Sequence, residues 1–185
     1  MRLALFGGIL VAFTCAIAGT FVVLRGLAFV GDALAHGVLP GIATAMLLGV
    51  SGIVGAAIGA AIMMGGVSVV SRRFRLSGDT AIGLLFVGML ALGVMITSRS
   101  SSFVGDLANI LFGELLGITT TDLAWQFIAL LVVGAIAFVS RRPFLLLTVD
   151  DGLARTSGFS ARLFHNVMLA MVALTVIASF QTVGT

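Results

Sequence analysis

The chain has 185 residues, 60% of them hydrophobic and 9% charged, with a formal net charge of +3. That mixture excludes an ordinary soluble domain and marks an integral membrane protein. All ten basic residues are arginine, and without lysine there is no Walker A phosphate loop, so any ATP that drives this protein is bound by another chain.

Apolar stretches of spanning length recur at about residues 3–24, 27–49, 51–71, 80–98, 123–140 and 163–180. Each is near the ~20 residues that cross a bilayer. The predicted fold class is therefore all-α, a polytopic transmembrane helical bundle of about six spans in a single membrane domain over residues 1–185. The first stretch is too long, and too poor in flanking polar cleavage signals, for a secretory peptide. It carries Cys15, the only cysteine, which excludes an intrachain disulfide and a thiol metal cluster.

The second stretch contains GDALAHGVLPG, where Asp32 and His36 stand four residues apart in apolar surroundings. Charge in hydrocarbon is costly, so an ionisable pair there is a functional-site candidate. Residues i and i+4 share one helix face, which directs a carboxylate and an imidazole the same way, as a divalent cation would need. Pro40 has no N–H to give the His36 carbonyl, and that oxygen becomes a third polar group. Irregular backbone at membrane depth is tolerated where it is buried in protein or lines a wet cavity. Counted at ~1.5 Å per residue from an inner boundary near Arg25, His36 lies roughly halfway across a ~30 Å core. The bland alternative is that Asp32 pairs with Arg25 or with His36 and the group only locks a helix bend.

In the third stretch Ser51, Gly55 and Gly59 form one row of small residues and Gly52, Ala56 and Ala60 the next, a pattern for close packing against another helix. Arg72, Arg73 and Arg75 then fall in one loop, and Arg141, Arg142, Arg155 and Arg162 in another. Both loops are expected on the cytoplasmic side. The segment from Arg99 to Asp122 is then exterior, the Arg25 turn interior and Met1 exterior. The arginine excess thus reports topology, and these short loops offer no nucleic-acid surface.

Residues 103–118 (FVGDLANILFGELLGI) are apolar but carry Asp106, Asn109 and Glu114, which suits an exterior re-entrant or interfacial helix. Asp106 and Glu114, with Asp122 nearby, could concentrate cations at an entrance, or simply belong to a solvated loop. On the inner side VDDGLARTSGFSAR reads as a short helix that Asp150 or Asp151 caps and Gly158 ends. It is either a docking helix for a soluble partner or a connection whose arginines hold topology. His165, near the cytoplasmic end of the last stretch, reads as an ordinary interfacial imidazole.

Four blocks carry a resemblance over almost the whole chain: GTFVVLRGLAFVGDALAHGVLPGIA, DLANILFGELLGITTTDL, DDGLARTSGF and the terminal QTVGT. With them the chain resembles the membrane permease subunits of ABC importers for manganese, zinc and iron. The most specific element is D-x-x-x-H followed by V-L-P-G. The resemblance implies a homodimeric or paired permease with two cytoplasmic ATPase subunits and an extracytoplasmic metal-binding protein. It implies that Asp32 and His36 lie on the translocation route as transient metal ligands. It also implies that Asp150, Asp151, Leu153, Ala154, Arg155 and Gly158 meet the ATPase. In such relatives a sequence like QTVGT opens further spans, so the chain looks truncated at its C-terminus. No permanent cofactor is implied, the metal being cargo and ATP a ligand of the partner chain.

An Asp oxygen and a neutral His nitrogen suit Mn²⁺, Fe²⁺ or Zn²⁺, and two ligands per chain hold weakly enough for an ion to leave. The competing reading is a proton-coupled secondary transporter or channel in which Asp32 and His36 relay protons. An intramembrane metallohydrolase is disfavoured, because the two histidines are far apart in sequence and no H-E-x-x-H is present.

Overall fold

A computed structural model describes residues 2–27, 29–98 and 117–183, and these form helices joined by short turns, with no strand among them. The helices are α1 (Arg2–Leu24), α2 (Phe29–Gly37), α3 (Leu39–Leu47), α4 (Gly52–Phe74), α5 (Gly78–Thr97), α6 (Thr120–Val139), α7 (Arg141–Val149), α8 (Asp151–Thr156) and α9 (Ala161–Val183). Among the described residues, six stretches are long and apolar enough to cross a bilayer: Leu3–Leu24, Phe29–Leu47, Gly52–Ser71, Gly78–Ser98, Thr120–Val139 and Ala161–Phe180. They coincide with the six expected from hydropathy, and the all-α polytopic fold class holds. The second is not one helix but two, α2 and α3, separated at Val38.

The described helices fall into two compact units. One contains α1 and α6 to α9. Its core gathers Ala18 of α1, Val133 and Ala137 of α6, Phe144 of α7, and Met168 and Met171 of α9. Phe144 is 2% exposed and meets the rings of Phe21 and Phe164 edge-on, at centroid separations of 5.1 and 6.4 Å. α7 was not singled out by the sequence reading, which placed one short helix in this connection. It folds because Pro143, Phe144 and Leu147 turn one apolar face inward, while Arg141 and Arg142 stay exposed at its start.

The other unit contains α2 to α5. With no hydrophobic drive between helices in lipid, close approach of small residues is what holds such spans together. A methyl group built on Gly55 of α4 would overlap the Gly41 carbonyl of α3 and lie 2.6 Å from the Ala45 Cβ. One built on Gly59 would lie 3.0 Å from the Cα of Val38, the residue at the break. The neighbouring row is sealed too, Ala56 and Ala60 being buried. Both small-residue rows expected in this span therefore pack at Gly55, Ala56, Gly59 and Ala60, while Ser51 at the head of the first is exposed.

The exterior helix expected over residues 103–118 lies, apart from Gly117 and Ile118, outside the described residues, as do Asp106 and Glu114.

Candidate metal site

The break in the second span is one residue wide. Val38 keeps near-helical angles (φ −81°, ψ −17°), its N–H donates to the Leu34 carbonyl at 3.2 Å, and its own carbonyl accepts from Ile42 at 3.0 Å. Pro40 stands in the first turn of α3, where a missing N–H costs least. It supplies no donor to the carbonyl four residues back, that of His36. Lower on α3 the Thr44 hydroxyl donates to the carbonyls of Pro40 at 2.8 Å and Gly41 at 2.9 Å, tying the first turn down.

α2 carries both candidate ligands on one face, as their spacing requires. His36 Nε2 lies 3.6 Å from Asp32 Oδ1, with the Asp32 side chain 60% and the His36 side chain 30% exposed. That separation is too long for a hydrogen bond. It does fit a shared ion: two ligand bonds of about 2.1 Å across a gap of 3.6 Å enclose an angle of about 118°, near the tetrahedral and trigonal values. The other ring nitrogen, Nδ1, is buried and has no hydrogen-bond partner. The His36 ring packs instead against Phe86 of α5, centroid to centroid 5.8 Å at 56°. Neither Asp32 nor His36 has a third His, Cys, Asp or Glu beside it, since no cluster of three or more such groups occurs among the described residues. One carboxylate and one imidazole are what α2 brings together here.

Arg25, weighed above as a partner of Asp32, makes a hydrogen bond to the other histidine: its Nη1 lies 3.0 Å from His165 Nδ1. A guanidinium only donates, so Nδ1 accepts and the imidazole proton sits on Nε2.

The connection that follows α7 contains the short helix expected there. Asp150 caps α8, its Oδ1 accepting from the Gly152 N–H at 2.6 Å. Gly158 ends it with φ +82°, and the Phe159 N–H returns to the Ala154 carbonyl at 2.9 Å, the paired bond of a Schellman close. Of the residues expected to meet a partner, Leu153 is 48% exposed, while Ala154 is fully buried with Leu147 and Ala161. Asp151 and Arg155 lie on the same helix.

Asp122, taken above as an exterior acid near an entrance, has a structural task. Its carboxylate accepts from the Thr119 N–H at 2.9 Å and the Thr119 hydroxyl at 2.6 Å, while its N–H donates back to that hydroxyl oxygen at 3.3 Å. This is a capping box at the start of α6. The T-x-x-D spacing at residues 119–122 was the available signal for it.

The model of the ABC 3 transport family matches residues 1–185. The manganese transport system membrane protein MntC of Halalkalibacterium halodurans is 37% identical over 185 residues, which are 100% of this chain and 63% of that protein. A probable iron transport system membrane protein of Haemophilus influenzae is 33% identical over 184 residues, 100% of this chain and 68% of that one. Among solved structures, PsaBC from Streptococcus pneumoniae in complex with Fab superposes with a TM-score of 0.82 at 28% identity, over 99% of this chain and 66% of that one. The chain thus spans a little under two thirds of the length of the first curated relatives it matches, 63% and 65%.

Proposed function

The chain belongs to the ABC 3 transport family, and from that premise we propose that it forms part of the membrane permease of an ATP-driven importer of divalent transition metals, manganese, iron or zinc. It is a multi-pass protein of the cell membrane, with six spans by length and composition among the described residues. The names of its relatives record manganese and iron transport, which supports a metal cargo. The observation that carries the proposal is the Asp32–His36 pair on a broken span, with a 3.6 Å gap that one ion can bridge.

In this reading the carboxylate supplies charge and the imidazole supplies selectivity for borderline metals over Mg²⁺ or Ca²⁺, which prefer all-oxygen shells. Two protein ligands leave the remaining positions to water or to a second copy of the permease, and so permit release. The α8 segment from Asp150 to Gly158 docks on a cytoplasmic ATPase. Exposed Leu153 makes the contact, and buried Ala154 anchors the helix from behind. An extracytoplasmic metal-binding protein delivers the ion at the opposite face, and Asp106 and Glu114 draw it in. ATP-driven closure then exposes the pair to each side in turn.

The test is uptake of radiolabelled Mn²⁺ or Zn²⁺ by cells producing the permease with its ATPase and binding protein. Asp32→Ala and His36→Ala are expected to abolish accumulation while leaving membrane expression and ATPase association intact. Undiminished uptake in either variant rejects the role. Uptake that survives ATP depletion but collapses with the proton gradient would instead support the proton relay.

A further inference from the structure

We infer that His36 holds its metal through Nε2 alone and that Phe86 is the positioning residue that orients the ring, by packing rather than by a hydrogen bond. The inference rests on the metal-site reading above and concerns how that site is supported.

The two nitrogens of His36 have opposite surroundings. Nε2 faces the Asp32 carboxylate across 3.6 Å, the side from which an ion arrives. Nδ1 is buried and without a partner. A metal on Nε2 requires the proton of the neutral ring to sit on Nδ1, in a place that offers no acceptor. In most metal sites the second ring N–H donates to a carboxylate, carbonyl or water, which fixes the tautomer and makes the ligand more basic; losing that partner weakens binding about 10–100-fold. Here the ring is steered by packing at a tilt against the Phe86 ring, centroids 5.8 Å apart at 56°. Packing fixes direction without adding basicity. The site therefore aims its imidazole well and binds through it loosely, a combination suited to cargo in transit and unsuited to a resident ion.

Histidine-selective ¹⁵N labelling of the purified chain in detergent or nanodiscs tests this, with Zn²⁺ as a diamagnetic probe. Only His36 and His165 give signals, and His165→Gln assigns them. On Zn²⁺ addition the Nε2 resonance of His36 is expected to move while Nδ1 keeps the shift of a protonated nitrogen. Phe86→Leu is expected to weaken the Zn²⁺ response about tenfold, the low end of lost ligand support, and Phe86→Trp, which keeps an aromatic face, to restore most of it. Matching circular dichroism and elution profiles guard against a misfolded variant. Metal-induced change at Nδ1, or a Phe86→Leu titration that overlays the wild type, overturns the inference while leaving the metal role standing. A wild-type His36 silent to Zn²⁺ overturns both.

Discussion

Gly55→Ala is the sharpest test of how the second and third spans are joined. The added methyl would sit 2.6 Å from the Ala45 Cβ and inside the Gly41 carbonyl oxygen. Carbon atoms rest at about 3.5–4.0 Å, so α3 and α4 must part by roughly 1 Å. The obstructing atoms are backbone and a Cβ, which have no rotamer to escape into. Overpacking of this kind costs about 1–3 kcal/mol. At about 2 kcal/mol the folded population falls roughly 30-fold relative to the unfolded, and the apparent Tm of a chain this size drops by about 4–8 °C. The control is Gly65→Ala on the same helix, where a new Cβ meets nothing within 4 Å and helix propensity favours alanine by about 1 kcal/mol. Thermal unfolding of the two variants in one detergent, followed by fluorescence-detected size exclusion, gives the comparison. Equal midpoints for Gly55→Ala and Gly65→Ala would refute the claim that the glycine row sets the helix separation.

Two further outcomes are expected. Phe144→Ala, which empties a position 2% exposed between Phe21 and Phe164, is expected to cost about 3–5 kcal/mol and to lower the thermal midpoint well beyond Gly55→Ala; a shift of a degree or less would show that α7 does not anchor its unit. Asp150→Ala removes the acceptor of the Gly152 N–H and is expected to cost about 1 kcal/mol, read as faster amide exchange confined to residues 151–156, whereas unchanged exchange there would show that the cap does not hold α8.

The spans were legible because their signal is redundant: some twenty apolar residues in a row specify a crossing whatever the details, and the hydropathy limits agree with the helix limits to within a few residues. The Asp32–His36 pair was legible for the opposite reason, since two polar residues stand out in a greasy run. Cap chemistry was partly readable, Asp150 and Gly158 being recognised by residue type, whereas Thr119–Asp122 went unread although its spacing was in view. α7 escaped because nine residues that open with Arg-Arg-Pro look like loop, and its inward face becomes visible only once Phe144 has rings to meet. Phe86 could not be found from sequence, because an aromatic residue in a span carries no mark of which neighbour it touches.

The glycine row also bears on how the Asp32–His36 pair is held. Where α3 meets α4 almost backbone to backbone at Gly41 and Gly55, no flexible side chain lies between them, so the two pack as one block. The nine-residue α2 that bears Asp32 and His36 is seated on that block: Val38 lies against Gly59, Gly37 faces Met63, and the helical hydrogen bonds run through Val38 to Ile42. A pair mounted this way borrows its precision from the backbone beneath it, so a change at Gly41 or Gly55 should be felt at Asp32 and His36 although neither glycine touches them.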